Sequence, residues 1–421
     1  MKQKKPIERG DGDMTNYAMK NLEKLSVSTI PPYDPLQSFV RDNHIAIKGL
    51  KGKRLSNYVF GAKDVFKIKG STWGNGHPDW LRYSQPDDFT ASAILTLLDA
   101  GADLVGKTIC DELCYSISGE NWHYGSPLNP TDTRRLTGGS SSGSCSATAG
   151  GLVDFAIGSD CLGSVRVPAS YTGIIGLRPS YERIQNDGEA PYCKSMDVLG
   201  FVASEKEVFQ DVASVLLNED PEKGTFTKLY VVDDAFEAVD SNVQEAFNAV
   251  IDKIGTKLGT IEHIKIAEEG LEYWVKEVFQ IVQGYEIWES YGGFVNKYRP
   301  RLSPGPKDRL EKASTISRER YLEAKKKKEE FRQRVEHLLS DGAVLITPTA
   351  SSVAPLKSAS LKEIDRLRTQ SSHLLCISPL ADIPQLTLPL LEQDGVPLGV
   401  TLMSAKNTDR TLIDFGLQFM E

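Results

Sequence analysis

The chain has 421 residues, a net charge of −8 at pH 7 and six cysteines. The acidic balance argues against a nucleic acid or an anionic membrane surface as the main partner, and a charged fraction of 25% is typical of a soluble globular protein. Six cysteines are too few for a disulfide framework in a chain of this length, so we expect free thiols in a reducing cytoplasm. Cys110 and Cys114 have no second Cys/His pair nearby, so we predict no metal site there.

Residues 1–33 form a largely polar N-terminal segment, of which we expect the first dozen residues to be disordered. The basic start is not followed by the apolar core of a secretory signal. No run approaches the roughly 20 apolar residues that a membrane-spanning helix needs. We therefore predict a cytoplasmic protein without a membrane partner.

Short strands are predicted near His44–Ile47 and Tyr58–Phe60, and the second leads directly to Lys63. A lysine in such an apolar run either reaches out to solvent or is a buried amine, and composition alone favours the first alternative. A helix over Phe89–Gly101 and a strand over Ala102–Thr108 follow. This alternation indicates an α/β layered fold. Residues 119–130 are predicted to form a loop, either an ordinary surface turn or one wall of a binding cavity.

The segment Gly138–Ser170 carries the strongest chemical signal. A Gly/Ser-rich loop at its start and a second serine-bearing turn at Gly158–Ser164 flank an apolar run that suits a buried strand. A flexible linker would not contain such a run. Within this segment, the phosphate-binding loop patterns, which end in Gly-Lys-Ser/Thr or read Gly-x-Gly-x-x-Gly, are absent. Two hydroxyl-bearing turns around one strand therefore favour nucleophilic catalysis.

The second half of the chain alternates between helices and strands. The predicted elements are a strand over Lys228–Val232, helices over Val243–Leu258, Leu271–Tyr298 and Arg318–Leu339, strands at Ala343–Ile346, Leu386–Leu388 and Gly399–Met403, and a helix after Asp409. We predict that the aromatic residues of the second helix pack in the core rather than contact a substrate. No linker marks a boundary, so we predict a single domain over residues 1–421, with residues 205–340 as a helical excursion within it.

Several motifs resemble the amidase signature family in their residues, order and spacing. They are Gly138-Gly139-Ser140-Ser141-Ser142-Gly143, Gly163-Ser164-Val165-Arg166-Val167-Pro168-Ala169 and the lysine in Ala62-Lys63-Asp64-Val65-Phe66. The resemblance runs from about residue 59 to the C-terminus and is weak over 205–340. It implies an α/β fold with a large mixed β-sheet core covered by α-helices on both faces. Residues 76–80 and 115–121 are most similar to plant-type indole-3-acetamide hydrolases, and also to a non-catalytic amidase-like domain.

The resemblance implies a Lys63–Ser140–Ser164 triad in which Ser140 follows a cis peptide bond. A serine hydroxyl needs a base, and a lysine can serve only when it is neutral, which burial favours. The implied relay runs from Lys63 through Ser140 to Ser164, which attacks the amide carbonyl and forms an acyl-enzyme. The resemblance thus reverses the preference for a solvent-reaching Lys63, and it implies no cofactor and no metal.

The turn before Ser164 is expected to supply an oxyanion hole from backbone N–H groups. The candidates are Cys161, Leu162, Gly163 and Ser164. We expect Asp160 and Arg166 to pair and brace the turn, with Ser141 and Ser142 as supporting hydrogen-bonding groups. The family usually has glycine where this chain has Leu162, and a leucine would be strained there if the position required a positive φ.

These expectations describe a cytoplasmic amidase that hydrolyses small carboxamides to a carboxylic acid and ammonia. Arylacetamides such as indole-3-acetamide are one candidate acyl class, and a homodimer is compatible with this interpretation. Two alternatives remain open: a non-catalytic amidase-like scaffold and the amidase subunit of a transamidating complex. Retention of Lys63, Ser140 and Ser164 argues against a scaffold. A Ser–His mechanism is disfavoured because no Gly-x-Ser-x-Gly elbow surrounds Ser164.

Overall fold

The computed structural model describes residues 26–221 and 224–420. The predicted disorder of the first dozen residues lies outside this part of the chain. The strands are β1 (Val27–Ser28), β2 (Ala46–Ile47), β3 (Val59–Lys63), β4 (Asp103–Thr108), β5 (Phe155–Asp160), β6 (Ile175–Arg178), β7 (Val198–Ala203), β8 (Lys228–Val232), β9 (Ile261–Ile264), β10 (Ala343–Pro348), β11 (Gln385–Gln393) and β12 (Val396–Met403).

These twelve strands form one mixed sheet in the order β1-β2-β4-β3-β5-β7-β6-β11-β12-β10-β8-β9. Strand β3 runs parallel to both β4 and β5, and β8 runs parallel to both β10 and β9. The remaining neighbours are antiparallel. The prediction of a large mixed sheet is confirmed.

Helices occupy a large part of the remaining described chain. They are α1 (Pro78–Tyr83), α2 (Ser92–Asp99), α3 (Ser142–Ala149), α4 (Arg166–Thr172), α5 (Lys206–Leu216), α6 (Asp233–Phe236), α7 (Ser241–Leu258), α8 (Leu271–Tyr273), α9 (Gln280–Tyr298), α10 (Pro304–Ala313), α11 (Arg318–Leu339), α12 (Leu361–Leu375), α13 (Ile377–Ala381) and α14 (Asp409–Leu417). A π-helical segment, Trp274–Phe279, joins α8 to α9. No helix among the described residues is both long enough and apolar enough to cross a membrane.

The central strand β5 shows that both faces of the sheet are covered. All six of its residues are buried. Phe155 and Ile157 pack in the large core cluster, whereas Ala156 packs in a separate cluster. Because successive side chains of a strand point to opposite faces, the two clusters lie on opposite sides of the sheet. A strand buried on both faces reads as the continuous apolar run that the sequence shows.

Within segment 205–340, the predicted strand over Lys228–Val232 is present as β8, and with the further strand β9 it extends one edge of the central sheet. One predicted boundary needs correction. The Gly/Ser-rich segment is not a loop throughout, because α3 begins at Ser142. Serine and glycine are poor helix formers, but a Cβ on Gly143 would lie 2.3 Å from Ser38 O. Small residues thus let this helix pack against neighbouring backbone, and tertiary packing overrides local propensity.

Candidate active site

Lys63 is the last residue of β3 and is fully buried. Its Nζ donates to Ser140 Oγ at 2.7 Å and to Ser159 Oγ at 2.8 Å. The interpretation from composition, a lysine that reaches solvent, is therefore wrong. The parallel pairing of β3 with β5 explains the geometry, because it sets the carboxyl ends of the two strands side by side. The buried amine accordingly faces hydroxyl groups instead of water.

The pKa of Lys63 reflects two opposing influences. Burial is the largest influence and lowers the pKa. The pKa is raised by the thiols of Cys114 and Cys110 and by the carboxyls of Asp197 and Glu189. The pKa of Lys63 ends above the ordinary lysine value. This direction does not support the expectation that burial makes the amine neutral near pH 7. Lys63 must lose a proton before it can act as a base.

Ser140 is held between two backbone segments. The Gly139–Ser140 peptide bond is cis, and Ser140 O accepts a hydrogen bond from Asp111 N–H at 3.2 Å. A Cβ at position 139 would lie only 2.3 Å from Asp111 Oδ1. Glycine is therefore required at position 139 for the chain to pass over the Asp111 carboxyl. The sequence motif can thus be read as a close approach of backbone to a buried side chain.

Ser164 lies in the neighbouring turn. Ser141 N–H donates to Ser164 O at 3.0 Å, and Ser141 Oγ donates to Ser159 O at 3.3 Å. Ser141 therefore links the segment after Ser140 to the second turn, which is the supporting position expected for it. Ser142 Oγ is 3.5 Å from Ile109 O, so its contact is with a different segment, the one that follows β4.

Asp160 and Arg166 brace the turn as expected. Both are fully buried, and two guanidinium nitrogens of Arg166 contact the two carboxylate oxygens at 2.8 and 3.0 Å. Burial raises the pKa of Asp160, but the Arg166 charge and its hydrogen bond lower it by more. The pKa of Asp160 therefore lies well below the ordinary range. This carboxylate also accepts from Gly163 N–H at 2.7 Å and from Val165 N–H at 2.9 Å.

The hydrogen bond from Gly163 N–H to Asp160 corrects the predicted set of oxyanion-binding groups. Gly163 N–H is engaged by the Asp160 carboxylate, so it is not free to bind an oxyanion. The N–H groups of Cys161, Leu162 and Ser164 have no backbone or side-chain acceptor in the described part of the chain. These three groups remain candidates. The positive φ of the turn, +93°, falls on Gly163 and not on Leu162, so leucine is not strained at position 162.

A cavity of about 440 Å³ opens in front of Ser164. Its lining includes Cys161, Leu162 and Ser164, residues 114–117, Tyr192, and side chains from the π segment and from α9, α10, α11 and α12. Lys63 and Ser140 are fully buried behind this wall. Among the three proposed triad residues, Ser164 is therefore the one that a bound molecule can touch. A larger cavity, about 1360 Å³, does not include any of the three.

The cavity tests two sequence interpretations. Residues 119–130 do not line it, so the suggestion of a cavity wall for this loop is wrong for this site. The aromatic residues Trp274, Phe279 and Tyr291 are buried in the core, as predicted. However, polar neighbours in the same segment, including Gln280 and Gln283, line the cavity. One helical segment thus contributes to both core and site.

None of the six histidines, all of which lie in the described residues, lines the cavity. A Ser–His mechanism at Ser164 therefore has no base in place. His77, Glu112 and His123 form the one group of potential metal ligands in residues 26–221 and 224–420. His77 Nε2 lies 3.5 Å from Glu112 Oε1 and 3.3 Å from Arg301 O, and His123 Nε2 lies 2.8 Å from the same Glu112 oxygen. Glu112 also accepts from Ser303 N–H at 3.0 Å, so internal hydrogen bonds tie these side chains together.

Sequence reasoning missed two residues beside the amine. Ser159 accepts from Lys63, and Cys114 lies on the cavity wall next to it. Ser159 was detectable in principle, because it is a hydroxyl at the end of a buried strand that pairs with the strand of Lys63. Cys114 was not detectable from the sequence, because it lies in an irregular turn, where its φ is +55°. All six cysteines are free thiols, as predicted, and all six are buried.

Comparison with known proteins finds similar sequences and similar structures. A model of the Amidase family matches residues 39–264 and 296–413. Amidase 1 of Arabidopsis thaliana is 32% identical over 390 residues, which cover 85% of this chain and 91% of that protein. The chloroplastic outer envelope protein 64 of the same plant is 31% identical over 388 residues, 86% of this chain and 65% of that protein.

Among solved structures, the fold is similar to an inhibitor-bound complex described in connection with the evolutionary origins of an s-triazine catabolic enzyme. The TM-score is 0.78 at 26% identity, with 87% of this chain and 84% of that chain covered.

Proposed function

Because this chain belongs to the amidase family and is an amide-hydrolysing enzyme, we propose that Lys63, Ser140 and Ser164 carry out the hydrolysis of small carboxamides. The observation that supports this proposal most strongly is spatial. Lys63 donates to Ser140 behind the cavity wall, and Ser164 lies on that wall. A buried base and a cavity-facing hydroxyl are the arrangement that nucleophilic catalysis requires.

The proposed reaction starts from the neutral form of Lys63, whose proton has been released to solvent and whose lone pair faces Ser140. Ser164 Oγ attacks the amide carbonyl carbon, and its proton passes through Ser140 to Lys63. The tetrahedral intermediate collapses with cleavage of the C–N bond, and the relay returns the proton to the departing nitrogen. Ammonia or an amine leaves, and an ester links the acyl group to Ser164. Water attacks this ester along the same proton path, which releases the carboxylic acid and restores Ser164.

The negative charge on the carbonyl oxygen would be stabilised by the N–H groups of Cys161, Leu162 and Ser164. One such donor typically contributes about 2.7–4 kcal/mol to lowering the barrier. The Asp160–Arg166 pair stabilises the turn, because the Asp160 carboxylate accepts hydrogen bonds from Gly163 N–H and Val165 N–H. The scheme needs no metal and no organic cofactor.

The direct test is ammonia release from a panel of primary amides that includes indole-3-acetamide and simple aliphatic amides. We expect Ser164-dependent turnover that Ser164→Ala and Lys63→Ala both abolish. Ser204→Ala serves as the control, because Ser204 donates to Thr148 O away from the cavity. A folded wild-type protein that is inactive on every amide would favour the scaffold alternative. Activity that appears only with a co-purified partner would favour the transamidating one.

A further inference from the structure

The cavity in front of Ser164 is unusually rich in positive charge for a chain whose net charge is −8. Five cationic side chains and one acidic side chain line it: Lys276, Arg309, Lys312, Arg320, Arg368 and Asp308. An excess of one sign inside a concave site attracts ligands of the opposite sign. The charge pattern therefore bears on which amides the site accepts.

Four of these cations have a carboxylate within ion-pair distance. Lys312 pairs with Asp308 at 2.8 Å. Arg320 pairs with Glu277 at 3.2 Å, and Lys276 contacts Glu272 one helical turn away. These three pairs lie at the exposed rim of the cavity. Arg368 lies 3.4 Å from Asp365, so Arg309 is the lining cation without a carboxylate partner among the described residues.

Arg309 has no carboxylate partner within ion-pair distance among the described residues, and its Nε is buried without an acceptor. Its guanidinium lies 5.2 Å from the ring centre of Tyr115, so an aromatic face holds it in position. Burial is the main influence that lowers the pKa of Arg309, and the charge of Arg368 lowers it further. Two guanidinium groups thus repel each other in one cavity, since an arginine stays charged at neutral pH.

Arg368 comes from a different helix, α12, whereas Arg309 belongs to α10. The Nε of Arg368 is also buried without a hydrogen-bond acceptor, although the Asp365 carboxylate lies 3.4 Å from it. The unused donor of Arg309 is costly to bury unless an anion completes it, and Arg368 lines the same cavity. The planar fork of a guanidinium matches a carboxylate in both charge and geometry.

We propose that Arg309 and Arg368 form a carboxylate subsite, so that the substrate is the monoamide of a dicarboxylic acid. This inference rests on the proposed amidase activity and specifies its acyl group. The amide end would lie at Ser164 and the free carboxylate at the two arginines. A neutral arylacetamide would leave Arg309 without a counter-charge.

Succinamate and its neutral diamide, succinamide, test this subsite as a matched pair, with malonamate and glutaramate to vary the chain length. We expect the best monoamide to exceed its diamide at least tenfold in kcat/KM. Arg309→Gln should reduce this ratio at least tenfold, and Arg368→Gln should also reduce it. Arg318→Gln should not change the ratio, because Arg318 is exposed and outside the cavity. A wild-type ratio near one for every pair, or a ratio that Arg309→Gln leaves intact, would overturn the proposal.

Binding separates this proposal from the catalytic one. Calorimetric titration of Ser164→Ala with succinamate needs no turnover, and we expect the added Arg309→Gln substitution to weaken binding at least tenfold. Ser164-dependent hydrolysis of neutral amides without preference for monoamides would refute the subsite and retain the amidase. Binding that depends on Arg309 without hydrolysis of any amide would retain the subsite and refute the proposed catalysis. If Arg309→Gln does not fold, the Arg368→Gln variant gives the same readout.

Discussion

Lys63 Nζ and Ser140 Oγ are 2.7 Å apart in a place that solvent does not reach. This contact is the first link of the proposed relay, so Lys63→Met should lower kcat by about 10²–10⁴-fold, the usual contribution of a general base. Steady-state ammonia release measures the effect. Lys69→Met is the matched control, because Lys69 is exposed on the segment that follows β3. Equal losses in the two variants would contradict the assignment.

The pH dependence follows from the direction of the pKa shift of Lys63. Its neighbours hold the pKa of Lys63 above the ordinary lysine value, and the charged amine cannot accept a proton from Ser140. The active fraction therefore grows as pH rises toward that pKa. We expect kcat/KM to increase continuously from neutral into alkaline pH, as measured by ammonia release in buffers of constant ionic strength. A maximum near pH 6–7 would contradict a lysine base.

Ser159 offers a sharper test, because it acts through Lys63. Its hydroxyl accepts from the Lys63 amine at 2.8 Å and so favours the charged form. Ser159→Ala removes this acceptor and should lower the pKa of Lys63. We expect the alkaline rise of the pH–rate profile to move to lower pH, with kcat changed by less than about tenfold. A merely structural role would reduce activity without moving the profile.

The Asp160–Arg166 pair is predicted to be essential for stability. Asp160→Asn leaves the buried Arg166 charge without its counter-charge, a change that typically costs about 3–5 kcal/mol. Urea unfolding measures the loss. Asp211→Asn is the control, because Asp211 pairs at 2.8 Å with an Arg54 side chain that is 58% exposed. Such exposed pairs contribute about 1 kcal/mol or less, so comparable losses in both variants would refute the bracing role.

Gly163 tests the geometry of the turn. Its φ is +93°, and a Cβ there would lie 2.7 Å from Leu375 Cδ1. Gly163→Ala should therefore displace the neighbouring N–H groups and lower kcat at least about tenfold. Gly151→Ala is a matched control, because Gly151 has φ +69° but open space around its Cβ position. It carries similar backbone strain, so stability should fall in both variants and kcat in Gly163→Ala alone.

The sequence predicted those parts of the fold that periodicity or a specific motif encodes. The bounds of α11 and β8 agree with the prediction, because a long amphipathic helix and a buried apolar strand have clear patterns. The cis peptide bond before Ser140 and the pairing of Asp160 with Arg166 also agree with the resemblance to the family.

Other features depend on tertiary structure and could not be read from local patterns. Helix α3 begins at Ser142 because small residues let it approach buried backbone. The charge state of Lys63 depends on thiols and carboxyls from distant segments. Arg309 and Arg368 lie 59 residues apart in sequence, and only the packing of α10 against the rest of the chain brings them to one cavity. No local pattern marks such a convergence.

The central claim is that Ser164 carries the acyl group during hydrolysis. Rapid acid quench of the wild-type enzyme during turnover of a good amide, followed by peptide mass spectrometry, measures this directly. We predict that the peptide containing Ser164 gains the mass of the acyl group minus one hydrogen, and that Ser164→Ala shows no adduct. Turnover without an adduct on this peptide, or an adduct that persists in Ser164→Ala, would contradict the account.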